Sequence, residues 1–353
     1  MDDLKISKRK PSYQISDKLH DYLSEYNRNI KLPIFYEDLL RFQGSIVVYD
    51  KFENDTLWIR VYYNDYEREE IDLSLKKVYT ILHSDGNESS LPFLNVDAID
   101  YCTFGNSRPF RIKIRNILND NFTYFYVKMA DASRVYGLEL EHMLSPYNLN
   151  FLVHKNTLIE EHISGIPGDE FIKNMLPKCS KSEKSQIAKE FVKFNERCMI
   201  RLLGDMRSYN YVIVPTHDFD QVVYKIRAID FDQQSYEGKI NIYRPQFFKE
   251  NFVMVNLVSE SFQKLSIDQY KIEERSIMAK RLKSYHDRIE DLMDCMVVDT
   301  ISTKENVDSL KIKIYEFTLD MNFKRCKTMG QIIKNALAYV LRNYENVNPN
   351  NLK

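Results

Sequence analysis

Asp205, Asn210 and Asp230 are two carboxylates and an amide spaced as a metal-assisted transfer to a hydroxyl would require. The first two lie in LLGDMRSYNYVIV at residues 202–214, separated by four residues, and the third lies in IRAIDFDQQ at residues 226–234. In such a set one carboxylate accepts or orients the proton of an attacking hydroxyl. An amide oxygen binds a metal, and a second carboxylate holds magnesium between phosphate oxygens. An Asp-x4-Asn match arises readily by chance in a chain rich in both residues. Its force comes from the company it keeps: apolar YVIV directly after it, then a hairpin, then IDFD at the hairpin's end.

A lysine completes the chemistry. Lys128 sits in YFYVKMAD on an expected strand, where an ammonium can face a cleft and pair with nucleotide phosphates. Glu139 and Glu141 lie on the following helix, and either can orient Lys128 by an ion pair. Met143, one helical turn beyond Glu139, favours Glu139. No histidines stand at metal spacing, and no GxSxG or P-loop sequence is present.

The elements that must position these residues follow from pattern. Ser16 caps a short helix through residue 27, with Leu19, Tyr22 and Leu23 on one side. Residues 45–49 and 56–63 read as a hairpin, residues 71–82 as helix or strand with the spacing of Leu75, Val78 and Leu82 favouring helix, and HSDGNESS at 83–90 as a linker. Beyond it, residues 98–104, 110–118 and 122–130 read as three consecutive antiparallel strands. A helix over 133–144 ends at Ser145-Pro146, and two more strands fall at 151–153 and 157–162. The remainder is helical, beginning with a long helix over 182–203 whose apolar face includes Ile187, Phe191, Phe194, Cys198 and Leu202. It is interrupted by one hairpin, residues 211–214 and 221–229. The expected domains are therefore an accessory α+β region over 1–90, a strand-rich region over 91–163 and a helical region over 164–353.

Composition narrows the classes. With 353 residues and 44% hydrophobic content, the chain is long enough for about two cores. Fifty basic and 51 acidic residues balance to a formal charge of −1, so general nucleic-acid binding is not expected. Five scattered cysteines without a CxxC pair suggest a reduced, cytoplasmic setting, and no apolar run is long enough for a membrane span. Only 9 glycines occur, six of them between residues 105 and 238, so each is expected where the backbone or a ligand demands one.

Taken together, these motifs resemble the protein-kinase-like superfamily, especially its atypical branches: HipA-type kinases, lipid-kinase-like enzymes and aminoglycoside phosphotransferases. Gly204-Asp205…Asn210 is similar to their catalytic loop, and Ile229-Asp230-Phe231 to their metal segment. The likeness covers residues 95–240 by motif. It implies an α+β, bilobal protein-kinase-like fold: a small antiparallel-sheet N-lobe and a mainly helical C-lobe, with the N-terminal α+β region as an addition. It implies ATP and Mg2+ as cofactors, Asp205 as catalytic base, Asn210 and Asp230 as magnesium ligands, Lys128 as the nucleotide lysine and Glu139 as its partner. LIEEHI at 158–163 resembles the hinge, so Glu161, His162 and Ile163 would meet adenine through their backbone, and SGIPGDEF resembles the hinge exit. The phosphate loop would be Gly105, Asn106 and Ser107, with one glycine in place of a series. Arg207 would contact a phosphate or a neighbouring carboxylate. Asp232, standing where a glycine is usual, would be an extra metal ligand or a surface residue.

The expected activity is phosphoryl transfer from ATP to an unknown protein or small-molecule acceptor. Two other readings share the motifs: a pseudokinase-like nucleotide-binding interaction module, and a nucleotidyl (AMP) transferase.

Overall fold

The computed structural model describes residues 10–83, 86–104, 107–218 and 221–344. The chain is α+β, with an antiparallel sheet in its N-terminal part and helices dominating its C-terminal part. It divides into two compact units. One comprises Met1–Ala132 with Leu149–His162, and the other Ser133–Asn148 with Ile163–Lys353.

The first unit opens with α1 (Asp17–Glu25) and α2 (Tyr36–Leu39). Ser16 caps α1 by accepting from the Leu19 amide, and Leu19, Tyr22 and Leu23 are buried. Strands β1 (Gly44–Tyr49) and β2 (Asp55–Tyr62) form a hairpin, followed by α3 (Asp65–His83). Then come β3 (Leu94–Cys102), β4 (Phe110–Asn116) and β5 (Phe122–Met129). Helix α4 (Ala132–Leu144) belongs to the second unit except for its first residue. The chain returns for β6 (Phe151–His154) and β7 (Thr157–Glu161).

These seven strands make one sheet in the order β1-β2-β3-β4-β5-β7-β6. Composition suggests a boundary near residue 90, but the sheet continues across it. Trp58, Ile59 and Arg60 of β2 pair with Cys102, Tyr101 and Asp100 of β3. The accessory hairpin thus extends the five-strand pattern to seven.

Alternation gives the sheet two unlike faces. On one, Phe110, Ile112, Ile114, Phe125, Val127 and Ile159 join a core with Ile71, Leu75, Val78 and Leu82 of α3. The spacing of the α3 residues places them along one helical stripe, which is why 71–82 folds as a helix. The opposite face carries charge and aromatic rings: Arg60, Asp100, Arg111, Tyr124, Tyr126, Lys128 and Glu160.

The second unit contains β8 (Ile166–Pro167), one turn of helix, α5 (Gly168–Glu170), and α6 (Lys181–Arg201). Strands β9 (Tyr211–Asp218) and β10 (Gln221–Ala228) form the expected hairpin, with β8 added on the β9 side. Helices α7 (Phe252–Ser261), α8 (Lys264–Ser284), α9 (His286–Met296), α10 (Lys304–Thr318) and α11 (Met329–Asn343) complete it. A reciprocal cap starts α6: Ser180 Oγ accepts from the Glu183 amide, and Glu183 accepts from the Ser180 amide at 2.8 Å. Buried Ile187, Phe191, Phe194 and Cys198 lie along α6, which packs against α7, α8, α11 and β10. No described helix is long and apolar enough to cross a membrane.

Candidate active site

The end of α6 sets the geometry of the second unit's polar cluster. Leu202 closes the helix in the left-handed region at φ 52°, and Asp205 adopts φ 57° three residues later. Non-glycine residues rarely hold this conformation unless surrounding bonds impose it. Four backbone hydrogen bonds do so here. The Leu203 amide donates to Cys198 O at 2.9 Å, and Ser235 donates to Leu202 O at 2.8 Å. Gly204 donates to Gln233 O and Asp205 to Ile242 O, each at 3.1 Å. A Cβ on Gly204 would stand 2.9 Å from Ile242 Cγ2 and 3.0 Å from Gln233 O, so the loop needs glycine for closeness.

The hairpin then closes the set. Tyr211 of β9 pairs with Ala228 of β10, and one step further the Ile229 amide donates to Asn210 O at 3.1 Å. Asp230 follows Ile229 directly, so pairing brings it to Asn210 although the two lie twenty positions apart. Asn210 Nδ2 donates to Asp205 O at 2.8 Å. Asp205, Asn210 and the Asp230 segment are therefore tied together within one unit.

The side chains are poised differently. Asp205 Oδ1 accepts from Arg207 Nε at 2.9 Å, while Oδ2 accepts no hydrogen bond among the described residues. Burial raises the Asp205 pKa above the ordinary carboxylate value, with the Arg207 hydrogen bond opposing it. Arg207 also donates to Glu250 Oε1 at 2.9 Å and lies over the Phe248 ring. Of the two contacts the sequence leaves open for Arg207, the structure shows the neighbouring carboxylates. Asn210 Oδ1 accepts nothing among the described residues. The Asp232 amide donates to Asp230 Oδ1 at 3.0 Å.

These donors suit magnesium, which is commonly held by one or two carboxylates plus waters and substrate phosphates. Among the described residues no three His, Cys, Asp or Glu side chains form a group that could hold a metal ion.

Helix α4 meets the rest of its unit through ion pairs that periodicity cannot disclose. Asp232, read as a metal ligand or surface residue, is buried and takes Arg134 Nε at 2.6 Å. Glu139, fully buried, is gripped by Arg288 of α9 through Nε at 3.0 Å and Nη2 at 2.8 Å. Glu141 pairs with Arg201 of α6. A Cβ on Gly137 would stand 3.1 Å from Gln234 Cβ and 3.2 Å from Phe231 Cβ, so this glycine serves the close packing of α4.

In the first unit, Lys128 is buried, and its carboxylate partner differs from the expected Glu139. Lys128 Nζ donates to Glu160 Oε2 at 2.6 Å. The reason is register: Lys128 faces Leu158 and Tyr126 faces Glu160 across β5 and β7, which puts Glu160 diagonal to Lys128 on one face. Glu160 is the functional candidate that pattern reading missed; its alternation with Leu158 on the expected strand is the signal that points to it.

The other expected residues are placed as follows. Glu161 ends β7 and accepts from the Asn150 amide at 2.9 Å. His162 Nδ1 lies 3.2 Å from Tyr126 Oη, and burial followed by the Arg111 charge lowers its pKa. His162 is the last residue of the first unit, and buried Ile163 begins a segment of the second. Ser107 lies in a bend before β4, whereas Gly105 and Asn106 fall outside the described residues.

No protein-family model matches the chain, and no curated protein matches its sequence. Among solved structures, an ethanolamine kinase from Plasmodium vivax aligns at 12% identity, covering 80% of this chain and 92% of that one, with a TM-score of 0.32. A likeness that weak bears on neither substrate nor residue roles.

Proposed function

We propose that the chain is a magnesium- and ATP-dependent phosphotransferase of protein-kinase-like type, acting on a hydroxyl of a protein or small molecule. The carrying observation is the tie between Asp205, Asn210 and the Asp230 segment: Asn210 Nδ2 on Asp205 O at 2.8 Å, and Ile229 N on Asn210 O at 3.1 Å. Asp205 Oδ2, with no hydrogen bond among the described residues, takes the proton of the acceptor hydroxyl. The hydroxyl oxygen bonds to the terminal phosphorus while the bond to ADP breaks. Asn210 and Asp230 would hold magnesium, which would supply positive charge to the phosphate oxygens. Lys128, in the first unit, is the lysine proposed to meet nucleotide phosphate. Arg207 keeps the Asp205 carboxylate oriented.

A nucleotide-binding module without transfer is favoured by one observation, the Glu160 carboxylate engaged by Lys128. Thermal-shift titration tests whether nucleotide binds. Millimolar ATP with magnesium should stabilise the protein, and Asp230→Ala should remove the magnesium-dependent part of the shift. No stabilisation of the unsubstituted protein by ATP would sink both readings. Binding without release of ADP would leave only the module.

A further inference from the structure

The seven-stranded sheet of the first unit ends differently on its two sides. At one edge lies β6, four residues long, with Phe151, Leu152 and Val153 buried. The chain itself covers that edge: Asn29 bridges Val153, and the Val153 amide donates to Arg28 O at 2.8 Å. At the other edge lies β1, six residues long, and among the described residues no strand pairs with its outer side. Each of its residues, GSIVVY, is wholly or partly exposed. Ile46 is 55% exposed, Val47 41% and Tyr49 60%.

Unpaired N–H and C=O groups on a sheet edge recruit another strand, and folded proteins ordinarily blunt such edges with charge, proline or a cover. Gly44–Tyr49 contains neither charge nor proline. Its apolar side chains project from both faces, Ile46 and Val48 from one, Val47 and Tyr49 from the other.

The bonds to β2 fix which backbone groups are left over. Val48 O accepts from Thr56 Oγ1, and the Asp50 amide donates to Asn54 O at 3.0 Å, so the even-numbered residues turn their polar groups inward. Ser45, Val47 and Tyr49 therefore turn theirs outward.

These three residues are placed evenly about Val47, which makes the edge complementary to itself. In an antiparallel pair with a two-fold axis at Val47, Val47 faces Val47 and Ser45 faces Tyr49, each pair exchanging two backbone hydrogen bonds. Ile46 then faces Val48 on the other side of the pleat. An axis at Ile46 would instead set Tyr49 against Gln43, which lies outside the strand. Charge agrees with the axis at Val47, because it brings Arg41 level with the second copy's Glu53. Both side chains are exposed. We infer that β1 is a dimerisation edge, where two copies of this chain pair β1 to β1 antiparallel and make one sheet continuous across both. This stands independently of the phosphotransferase reading.

Sedimentation velocity of the full chain, run from about 1 to 500 µM, reads the association directly. The protein should dimerise reversibly with a Kd of about 1–100 µM, as befits a small interface. Val47→Lys sets two ammonium groups face to face at the axis and should weaken the dimer about tenfold or more. Arg41→Glu and Glu53→Arg should each weaken it about threefold to tenfold, and the double substitution should restore it. The charge pair lies outside β1, so it tests the register even if Val47→Lys fails to fold. A monomer throughout the range overturns the inference, as does a dimer indifferent to Val47→Lys. Growth beyond the dimer, or no restoration by the double substitution, overturns the two-fold pairing at Val47.

Discussion

Asn210 donates its side-chain amide to the backbone carbonyl of Asp205 at 2.8 Å, fixing the carbonyl end of its own side chain as the free acceptor. The bond couples the proposed base to the proposed metal ligand. Asn210→Ala removes both the oxygen for magnesium and the brace on the Asp205 loop. Magnesium affinity, measured by titrating metal into protein saturated with ATP, should fall about tenfold or more. Asn210→Asp keeps an oxygen there but loses the amide donor, so it should restore part of the metal affinity.

Arg207 holds the Asp205 carboxylate below where burial alone would put it. Removing the guanidinium, as in Arg207→Gln, leaves burial less opposed and moves the Asp205 pKa further up. A base must be deprotonated to act, so activity is lost as pH falls through that pKa. The acid limb of the kcat/KM profile should therefore begin above the ordinary aspartate value in the unsubstituted protein and at still higher pH in Arg207→Gln.

Glu139 and Arg288 form a buried pair within the helical unit, with Glu139 fully enclosed. Arg288→Ala strands a buried carboxylate and should cost about 3–5 kcal/mol of stability, read by chemical denaturation. If the pair braces α4 rather than serving the nucleotide, the extra stabilisation conferred by ATP should survive in Arg288→Ala. Its disappearance in a folded Arg288→Ala protein would assign Glu139 to nucleotide binding.

Gly204 leaves no space for a side chain beside Ile242 and Gln233. Gly204→Ala should destabilise the protein by about 1–3 kcal/mol through overpacking. It should also lower kcat more than nucleotide affinity, because Asp205 is the next residue. Denaturation midpoints and steady-state kinetics check the two effects separately.

The parts of this architecture carried by local pattern were readable in advance. Leu75, Val78 and Leu82 announce α3 by helical spacing, and the alternation of Phe125, Val127 and Lys128's neighbours announces β5. The β9–β10 hairpin and the proximity of Asn210 to Asp230 follow from two strands separated by one turn. Contacts between distant segments were not readable. Nothing local in Trp58–Arg60 names Cys102–Asp100 as the pairing strand, so the sheet's extension past residue 90 emerges only from the fold. Glu139 and Arg288 lie 149 residues apart, and Arg134 and Asp232 lie 98 apart. Periodicity does not tell that α4 is buried on nearly every side, nor which cations meet its carboxylates. Glu160 shows the intermediate case: its strand was legible, but its tie to Lys128 depends on cross-strand register.

The central claim is transfer of the terminal phosphoryl group with Asp205 as base, and the nucleotide product tests it most directly. Incubated with millimolar ATP and magnesium, the protein should release ADP slowly to water and faster once an acceptor hydroxyl is supplied. Asp205→Asn, which preserves shape but cannot take the proton, should bind ATP yet lower ADP release about a hundredfold or more. Release of pyrophosphate in place of ADP, or ADP release unchanged in Asp205→Asn, would contradict the account.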